Sequence, residues 1–255
     1  YSLMSSWESG MQADLTATGD RAYLDCYNDW PSGLSDPVVI SGWTTNATYF
    51  ITVQAADGHG HNGVVGDGFL LTNNTGSAVL TIKVQDDFTK IVGFSVTTAK
   101  TSTTLFVVGC RHNEAVGCLF DQLIIDAGTF LECWVGGGYN SGQAANPNTL
   151  RNSLLIGDTE SAYLLNAEAR YIEFENLTVI NYGTAGGCVR GASNLAGFNG
   201  YENIVAYSNG GTCFTTNISS SYFVNCASSD TSLSGGTDCI TGITSAAFVD
   251  YAGVD

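Results

Sequence analysis

One pattern occurs twice in the C-terminal third of the chain. It reads FENLTVINYGTAGGCV from Phe174 to Val189 and YENIVAYSNGGTCF from Tyr201 to Phe214. In both stretches an acid and an amide precede a short apolar run, which leads to two glycines and then a cysteine. The pattern is either a chemical site used twice or a structural unit that repeats. The two interpretations assign different roles to Glu175 and Glu202.

The spacing of related segments favours a structural repeat. Amide residues precede apolar runs at Gln122, Asn152, Asn176, Asn203 and Asn225. The step from one to the next drifts within roughly 20–30 residues, and each unit holds two or three short strands, as is typical of one coil of a β-solenoid. The recurrence of Glu175 and Glu202 then follows from the repeat, which makes a catalytic role for them less expected.

Stacked coils would align equivalent residues into ladders. We expect the four asparagines, Asn176 and Asn203 among them, to form a turn ladder, because Asn tolerates left-handed backbone and its amide can bond to the next coil. An apolar ladder is expected inside the coil, formed by Leu123, Leu154, Leu177 and Ile204.

The first stretch of the chain differs from the rest. Its apolar residues recur every three or four positions, at Leu3, Met4, Trp7, Met11 and Leu15. This spacing predicts an amphipathic helix whose apolar face covers the first coil. After residue 20, short β-branched and aromatic runs are bounded by Gly, Asn, Asp or Ser, as strands are.

The sequence therefore predicts an all-β fold with two parts. Residues 1–19 form an N-terminal capping helix, and residues 20–255 form a single-stranded parallel β-helix, right-handed by the crossover rule. Because the sequence starts at Tyr1 and stops in mid-pattern at FVDYAGVD, we expect the β-helix to continue beyond it.

Short motifs in the front half accompany the repeat. They are Trp-Glu, Cys-Tyr, Ile-x-Gly-Trp-Thr-Thr and His-Asn-Gly, at positions 7–8, 26–27, 40–45 and 61–63. With these motifs the chain resembles the right-handed parallel β-helix repeat proteins of bacteriophage virions (head-decoration proteins, tail fibres and tailspikes) and of bacterial secretion. The resemblance implies a location on the virion surface, outside cells. It specifies the fold better than the biochemistry.

Charge and hydropathy exclude two classes of partner. The chain has 8 basic and 24 acidic residues, a net charge of −16. Nucleic-acid binding is not expected, because it needs clustered Lys and Arg to neutralise phosphates. No apolar run approaches the roughly 20 residues that cross a bilayer, so no membrane partner is expected.

The resemblance implies other partners. These are further virion proteins, either capsid or tail subunits, and additional copies of the chain, with a trimer favoured among homo-oligomers. Host surface polysaccharide is a further candidate ligand. No cofactor is expected.

Three of the eight cysteines recur near the coil period, Cys188, Cys213 and Cys239. We expect them to form one inward ladder of reduced thiols. Disulfides between neighbouring coils are an alternative, since their Cα atoms would lie near bonding range. A catalytic thiol is not expected, because no His is close in sequence or in repeat phase.

Paired carboxylates are the candidates for catalysis. Glu173 and Glu175 lie two apart on a predicted strand, hence on one face and about 6.5–7 Å apart. Asp121 and Asp126 flank another apolar run. Glycosidases use such pairs, but a solvated outer face of an acidic solenoid explains them as well, and we favour that explanation.

The polar, glycine-rich loop DGHGHNGVVGDG, from Asp57 to Gly68, contains candidate metal ligands. Asp57, His59, His61 and Asp67 could supply two imidazoles and two carboxylates to a metal ion. A solvated turn between strands, with His61 bonded locally, is the favoured alternative.

The longest low-complexity segment, GGGYNSGQAANPN, covers residues 136–148. Together with the preceding Trp134 it offers Tyr139 and Asn140 as a candidate binding loop, because exposed aromatic rings suit sugars and protein interfaces. A connecting loop without a ligand is equally compatible with this composition.

These observations lead to three functional hypotheses. The first is a non-enzymatic bacteriophage structural protein on the particle surface, either a capsid decoration protein or a segment of a tail fibre or tailspike. The second is a polysaccharide depolymerase, a glycoside hydrolase or lyase, on a tailspike-like β-helix. The third is a secreted bacterial adhesin.

Overall fold

Strands dominate the computed structural model of the chain, and the all-β prediction is confirmed. The structure describes residues 1–64, 66–73, 82–98, 119–121, 124–127, 133–135, 148–157, 163–167, 172–190, 200–214 and 223–247.

Two short helices, α1 (Met4–Met11) and α2 (Leu15–Thr18), precede the strands, and a 3-10 helix (Ser245–Ala247) follows them. The strands are β1 Ala22–Cys26, β2 Leu34–Ser35, β3 Val38–Ile40, β4 Ile51–Ala55, β5 Leu70–Asn73, β6 Ile82–Val84, β7 Thr89–Val92, β8 Ser95–Thr98, β9 Leu119–Asp121, β10 Ile124–Ala127, β11 Cys133–Val135, β12 Asn148–Gly157, β13 Tyr163–Ala167, β14 Ile172–Asn181, β15 Gly187–Arg190, β16 Gly200–Glu202, β17 Val205–Ser208, β18 Phe223–Val224, β19 Ala227–Ser228 and β20 Ile240–Thr241.

All pairings between these strands are parallel, and the largest sheet curls into a half-barrel. One run of this sheet leads from β1 through β4, β7 and β9 to β12, and a second leads from β2 through β5, β8 and β10 to the same strand. Both continue into β14, after which β16 and β18 extend one run and β17, β19 and β20 the other. Two smaller sheets contain β11–β13–β15 and β3–β6.

The spacing of the repeat in the sequence matches the strand register. Leu150 stands opposite Phe174, Phe174 opposite Tyr201, and Tyr201 opposite Phe223. Each of these residues lies two positions before one of the four asparagines, so both sets advance by the same steps. We call such a set of facing residues a row. The four side chains of this row are buried, and its aromatic rings lie 5.4 and 4.8 Å apart between centroids.

An asparagine row marks the bend in the long strands. Asn152, Asn176, Asn203 and Asn225 have φ angles of 49°, 54°, 55° and 53°. Asn176 donates through Nδ2 to Oδ1 of Asn152 at 2.9 Å, and Asn203 donates in the same way to Asn176 at 2.9 Å. The left-handed backbone turns the strand, and the side-chain amides tie neighbouring strands together at the turn.

The glycines of the quoted pattern lie where neighbouring strands approach closely. A Cβ on Gly211 would collide with the carbonyl oxygen of Gly186, and one on Gly187 would overlap the ring of Tyr163. Of these residues and Gly210, only Gly210 has a positive φ, 129°. Close approach of the backbone, more than left-handed conformation, therefore explains the Gly-Gly pair.

The predicted apolar ladder is wrong by one residue at Leu154. Leu154 stands opposite Thr178, while Ser153 stands opposite Leu177. The row is set by the position directly after the bent asparagine, which is Ser153 in this strand. Its buried hydroxyl donates to the carbonyl oxygen of Arg151 at 2.7 Å, which makes the polar residue tolerable in a core row. Leu123 lies outside the described residues.

The predicted front helix is interrupted, and Met11 is not on its buried face. Met4, Trp7 and Leu15 are buried, but Met11 is 46 % exposed. The helix ends at Met11 because the following chain pairs with a loop: Thr44 donates to the carbonyl oxygen of Ala13 at 3.2 Å and accepts from the Leu15 amide at 3.0 Å. These bonds require extended backbone between α1 and α2.

Buried carboxylates attach α1 to the sheet. Glu8 accepts from the backbone amide of Ser41 at 3.0 Å, directly after β3, against which the helix packs. Asp36 accepts from the amide and hydroxyl of Ser5 at 2.9 and 2.6 Å. Glu8 is 6 % exposed and Asp36 7 %, so the oxygens of both carboxylates depend on these partners.

Candidate functional site

The outer side of the long strands carries charged residues in one row. On β12 and β14, Leu150 and Phe174 point into the core, so the next residues, Arg151 and Glu175, point outward. Register places Arg151 between Asp121 and Glu175. Neighbouring parallel strands lie about 4.8 Å apart, so this row sets one cationic position between two acidic ones.

The same row brings two glutamates together. Glu175 stands opposite Glu202 on the next strand, whereas Glu173 and Glu175 are two residues apart on a single strand. Glu202 is exposed, whereas Glu175 is half-buried. The Oε1 atom of Glu175 lies 3.5 Å from the side-chain nitrogen Nδ2 of Asn176. Carboxyl groups on strands about 4.8 Å apart can reach the spacing of about 5–5.5 Å found in retaining glycosidases.

From the sequence we paired Glu173 with Glu175 and attributed the recurrence of Glu175 and Glu202 to the repeat, without pairing those two residues across strands. The signal was present in the sequence, because the step from Asn176 to Asn203 also relates Glu175 to Glu202. Asp121 lies on β9 in the same row as Arg151, and Asp126 lies on β10 opposite Ile156. The structure describes the backbone at these two aspartates, so they are placed by register alone.

The structure does not assemble the four predicted metal ligands into one site. His59 accepts through Nδ1 from the amide of Asn28 at 3.0 Å, and His61 accepts through Nδ1 from the amide of Gly63 at 3.1 Å. Asp67 accepts from Asn62 and Gly68 at 2.7 and 3.0 Å. Across the described residues, no group of three or more His, Cys, Asp and Glu is placed to hold an ion. Asp57 lies in the turn after β4.

Cys188 and Cys213 face each other inside the fold. Val189 and Phe214 form a bridge, which puts the preceding cysteines in register. Both are fully buried, and the Cys213 thiol donates to the carbonyl oxygen of Ala206 at 3.3 Å. Cys188 donates to the carbonyl oxygen of Tyr207 at 3.0 Å. Burial raises the pKa of Cys188 well above its ordinary value, so this thiol is held in its neutral form.

Cys239 does not belong to that ladder, which corrects the prediction. Ala227 stands opposite Ile240, so Cys226 stands opposite Cys239. The final step of the sheet, from Cys226 to Cys239, is half as long as the stretch from Cys213 to Cys239. The third Gly-Gly segment, at residues 235–236, is followed by Cys239. This cysteine therefore lies in the row of residues that directly follow the bent asparagines, and not in the row of Cys188.

An open cleft of about 410 Å³ lies beside β17, and the sequence did not indicate it. Its lining is Tyr207, Ser208, Gly210, Gly211, Ser229, Asp230, Ile243, Thr244 and Ser245. The Ser229 hydroxyl is 3.1 Å from the sulfur of Cys213. Asp230 accepts from the amides of Cys213 and Ser232, both at 3.0 Å. Through these bonds the Asp230 carboxylate fixes the backbone at Cys213 and Ser232, beside the cleft.

The candidate binding loop is only partly described. Trp134 lies on β11, opposite Asn166 of β13. Tyr139 and Asn140 lie outside the described residues, as does most of the low-complexity segment; its last residue, Asn148, is buried at the start of β12.

No protein-family model matches the chain, and no curated protein or solved structure is significantly similar to it. In the described part of the chain, no helix is long and apolar enough to span a membrane.

Proposed function

We propose that the chain is a right-handed parallel β-helix that serves as a non-enzymatic structural protein on the surface of a bacteriophage particle. The observation that carries this proposal is the row structure: aromatic residues stack inward while asparagines, spaced by the same steps, bond along the outer bend. Such an arrangement produces a stiff element, because each strand is fixed to its neighbours by backbone, core and side-chain bonds at once.

The β-helical form of the proposal follows from the spacing of the parallel pairs. Parallel neighbours require a crossover connection, and a crossover in one sheet is right-handed in nearly all proteins. The steps between facing residues along β12, β14, β16 and β18 are all roughly 20–30 residues, the length of a short solenoid repeat. Each step leaves room for one coil that contributes a strand to the large sheet and another to a second sheet such as β11–β13–β15.

The structural role is supported by how the polar groups are used. Three asparagines of the row bond to each other through their side chains, and Glu8, Asp36 and Asp230 each accept from the backbone amide of a residue distant in sequence. A surface with a net charge of −16 stays soluble at the high local concentration of an assembled particle. The proposed partners are capsid or tail subunits and further copies of the chain, with a trimer favoured, and host polysaccharide is a proposed ligand.

The proposal is tested by locating the chain on particles. Gold-labelled antibodies raised against the purified chain are applied to intact phage particles from a host that carries this sequence, and the particles are imaged by electron microscopy. Label on the capsid identifies a decoration protein, and label on the tail identifies a fibre or tailspike. Particles that bind no gold and contain no peptide of this chain by mass spectrometry refute the proposal.

A depolymerase is the second candidate, and the cross-strand pair Glu175 and Glu202 is the observation that favours it. Purified chain is incubated with capsular polysaccharide, and the products are sized by chromatography. Shortening of the glycan that is lost in Glu175→Gln and in Glu202→Gln, but kept in the control Glu173→Gln, would establish a depolymerase. Unchanged glycan with the unsubstituted chain, under conditions where a known depolymerase cuts it, would exclude one for that glycan.

A further inference from the structure

Two cysteines at the C-terminal end of the large sheet are arranged differently from the three other cysteines whose side chains the structure describes. Cys226 follows Asn225, with φ 53°, and Cys239 follows Asp238, also with φ 53°. Because the preceding residues share one backbone conformation, the two cysteines leave the bend in the same direction. The Cys226 thiol lies 3.3 Å from the carbonyl oxygen of Val224, and the Cys239 thiol lies 3.4 Å from that of Thr237, the residue that stands opposite Val224.

Backbone bonds on both sides fix the pair in register. The Asn225 amide donates to the carbonyl oxygen of Thr237 at 3.0 Å, and the Ile240 amide donates to that of Cys226 at 2.9 Å. Facing residues of parallel strands are about 4.8 Å apart. This spacing lies within the range of about 4.4–6.8 Å over which two Cα atoms accommodate a disulfide.

The two thiols differ in access to solvent. Cys226 is 1 % exposed, whereas Cys239 is half-buried and lies beside Ile240, which is 62 % exposed. The other facing pair, Cys188 and Cys213, is fully buried on both sides. An oxidant in solution can therefore reach Cys239 first, and among the cysteines whose side chains the structure describes only Cys226 is placed to react next.

We propose that Cys226 and Cys239 form a reversible redox site, in which a small-molecule disulfide such as oxidised glutathione oxidises them to a disulfide that links β19 to β20. This role is independent of where the chain is located.

The chemistry takes two exchange steps. The Cys239 thiolate attacks one sulfur of oxidised glutathione, which forms a mixed disulfide and releases one glutathione thiolate. Cys226 then loses its proton, and its sulfur attacks the Cys239 sulfur, which breaks the mixed disulfide and releases the second glutathione. The two protein thiols lose two electrons in total, and one glutathione disulfide is reduced to two thiols.

The second step has its own pH dependence. Burial raises the pKa of Cys226 from its ordinary 9.0 to about 11. Since the thiolate is the attacking form, closure of the disulfide accelerates as pH rises toward that value. At neutral pH the mixed disulfide at Cys239 precedes the cross-link in time.

Peptide mapping tests the proposal on the native chain. The protein is incubated with oxidised glutathione, unfolded in denaturant that contains N-ethylmaleimide so that every remaining thiol is alkylated, and cleaved after aromatic residues and before aspartates, which separates Cys213, Cys226 and Cys239 onto three peptides. We expect a cross-link between the peptides of Cys226 and Cys239, with Cys188 and Cys213 alkylated. We also expect hydrogen exchange at the Ile240 amide to slow by on the order of tenfold, because the link prevents local opening.

Three variants give the proposal its controls. Cys226→Ser should stop at a stable glutathione adduct on Cys239, and Cys239→Ser should leave Cys226 unmodified. Cys26→Ser, which removes a buried thiol that faces Ala55, should cross-link as the unsubstituted chain does. A lasting adduct on Cys239 without a cross-link in the unsubstituted chain, no reaction at either cysteine, or oxidation of Cys188 and Cys213 instead would each overturn the proposal.

Discussion

The asparagine row allows its side-chain bonds to be separated from its backbone conformation. Asn176 and Asn225 share nearly the same φ, 54° and 53°. Asn176 is bonded through its side chain to the asparagine on either side. Among the described residues, the Asn225 side chain has no such bond. Alanine at the two positions therefore removes the same backbone preference but different numbers of hydrogen bonds.

The expected energies follow from these contacts. Alanine in the left-handed region costs about 1 kcal/mol at each position. Replacing Asn176 also removes two exposed side-chain bonds, at about 0.5 kcal/mol each. We expect Asn176→Ala to lower the free energy of unfolding by about 2 kcal/mol and Asn225→Ala by about 1 kcal/mol.

Urea unfolding followed by far-ultraviolet circular dichroism measures both values by linear extrapolation. Glycine at each position provides the control, because glycine adopts a positive φ without steric cost. The difference between Asn176→Gly and Asn225→Gly should again be about 1 kcal/mol. If the two positions differ by less than about 0.3 kcal/mol in both series, the side-chain ladder does not stabilise the fold and the reasoning is wrong.

Three further predictions concern the buried residues Cys26 and Glu8 and the glycine at position 211. Burial raises the pKa of Cys26 from 9.0 to about 12, so the folded state keeps a proton that the unfolded state loses above pH 9. The free energy of unfolding is therefore unaffected by this thiol below pH 9, and it should fall by about 1.4 kcal/mol per pH unit between pH 9 and about pH 12. In thermal melts from pH 8 to 11, Cys26→Ser should flatten this fall, and equal slopes in both proteins would contradict it. Glu8→Ala should lower the free energy of unfolding by about 1–3 kcal/mol, because it leaves the Ser41 amide without its acceptor, and Glu8→Gln, which keeps an acceptor oxygen, should cost less; equal losses in urea titrations would argue against this bond. Gly211→Ala should destabilise the fold by about 1–3 kcal/mol or more through its steric clash, whereas a Cβ on Gly60 meets its nearest atom only at 3.9 Å, so Gly60→Ala should be nearly neutral; similar melting temperatures for the two variants would refute the close-approach explanation.

The parts of the fold that the sequence predicted are those that local chemistry determines. Asparagine in a left-handed bend is a property of that residue, so the spacing of Asn176 and Asn203 gives the register directly. The inward row of Phe174 and Tyr201 follows from alternation along the strands that contain them. The predicted strand-rich, parallel fold rested on the same two signals.

The parts that the sequence did not predict depend on contacts between distant residues. The break after Met11 is imposed by backbone bonds to Thr44, which no helical periodicity contains. Leu154 is not in the predicted apolar row with Leu177, because in its strand the residue directly after the bent asparagine is Ser153. Cys239 lies opposite Cys226 and not in the row of Cys213, because the last step of the sheet is short. The residues at the two ends of a connection do not determine its length.

The candidate site shows the same division. Acids on the outer face of a strand were predictable from alternation, as Glu173 and Glu175 are. The alignment of Glu175 with Glu202 and Arg151 follows from the spacing of the asparagines that come after them, and the structure shows that the three residues stand on neighbouring strands. The cleft beside β17 was not predictable, because it is formed by turns that the sequence marks only as Ser, Gly and Asp.

The contact between the first helix and the sheet has a spectroscopic consequence. Trp7 of α1 and Trp43, which follows β3, stack with their ring centroids 5.5 Å apart and their planes inclined by 29°. Indoles this close couple their electronic transitions, and the coupling disappears when one ring moves away. A circular-dichroism couplet from this pair would give the molecule an intrinsic optical probe of whether its first helix is docked, and it would be absent from Trp43→Phe.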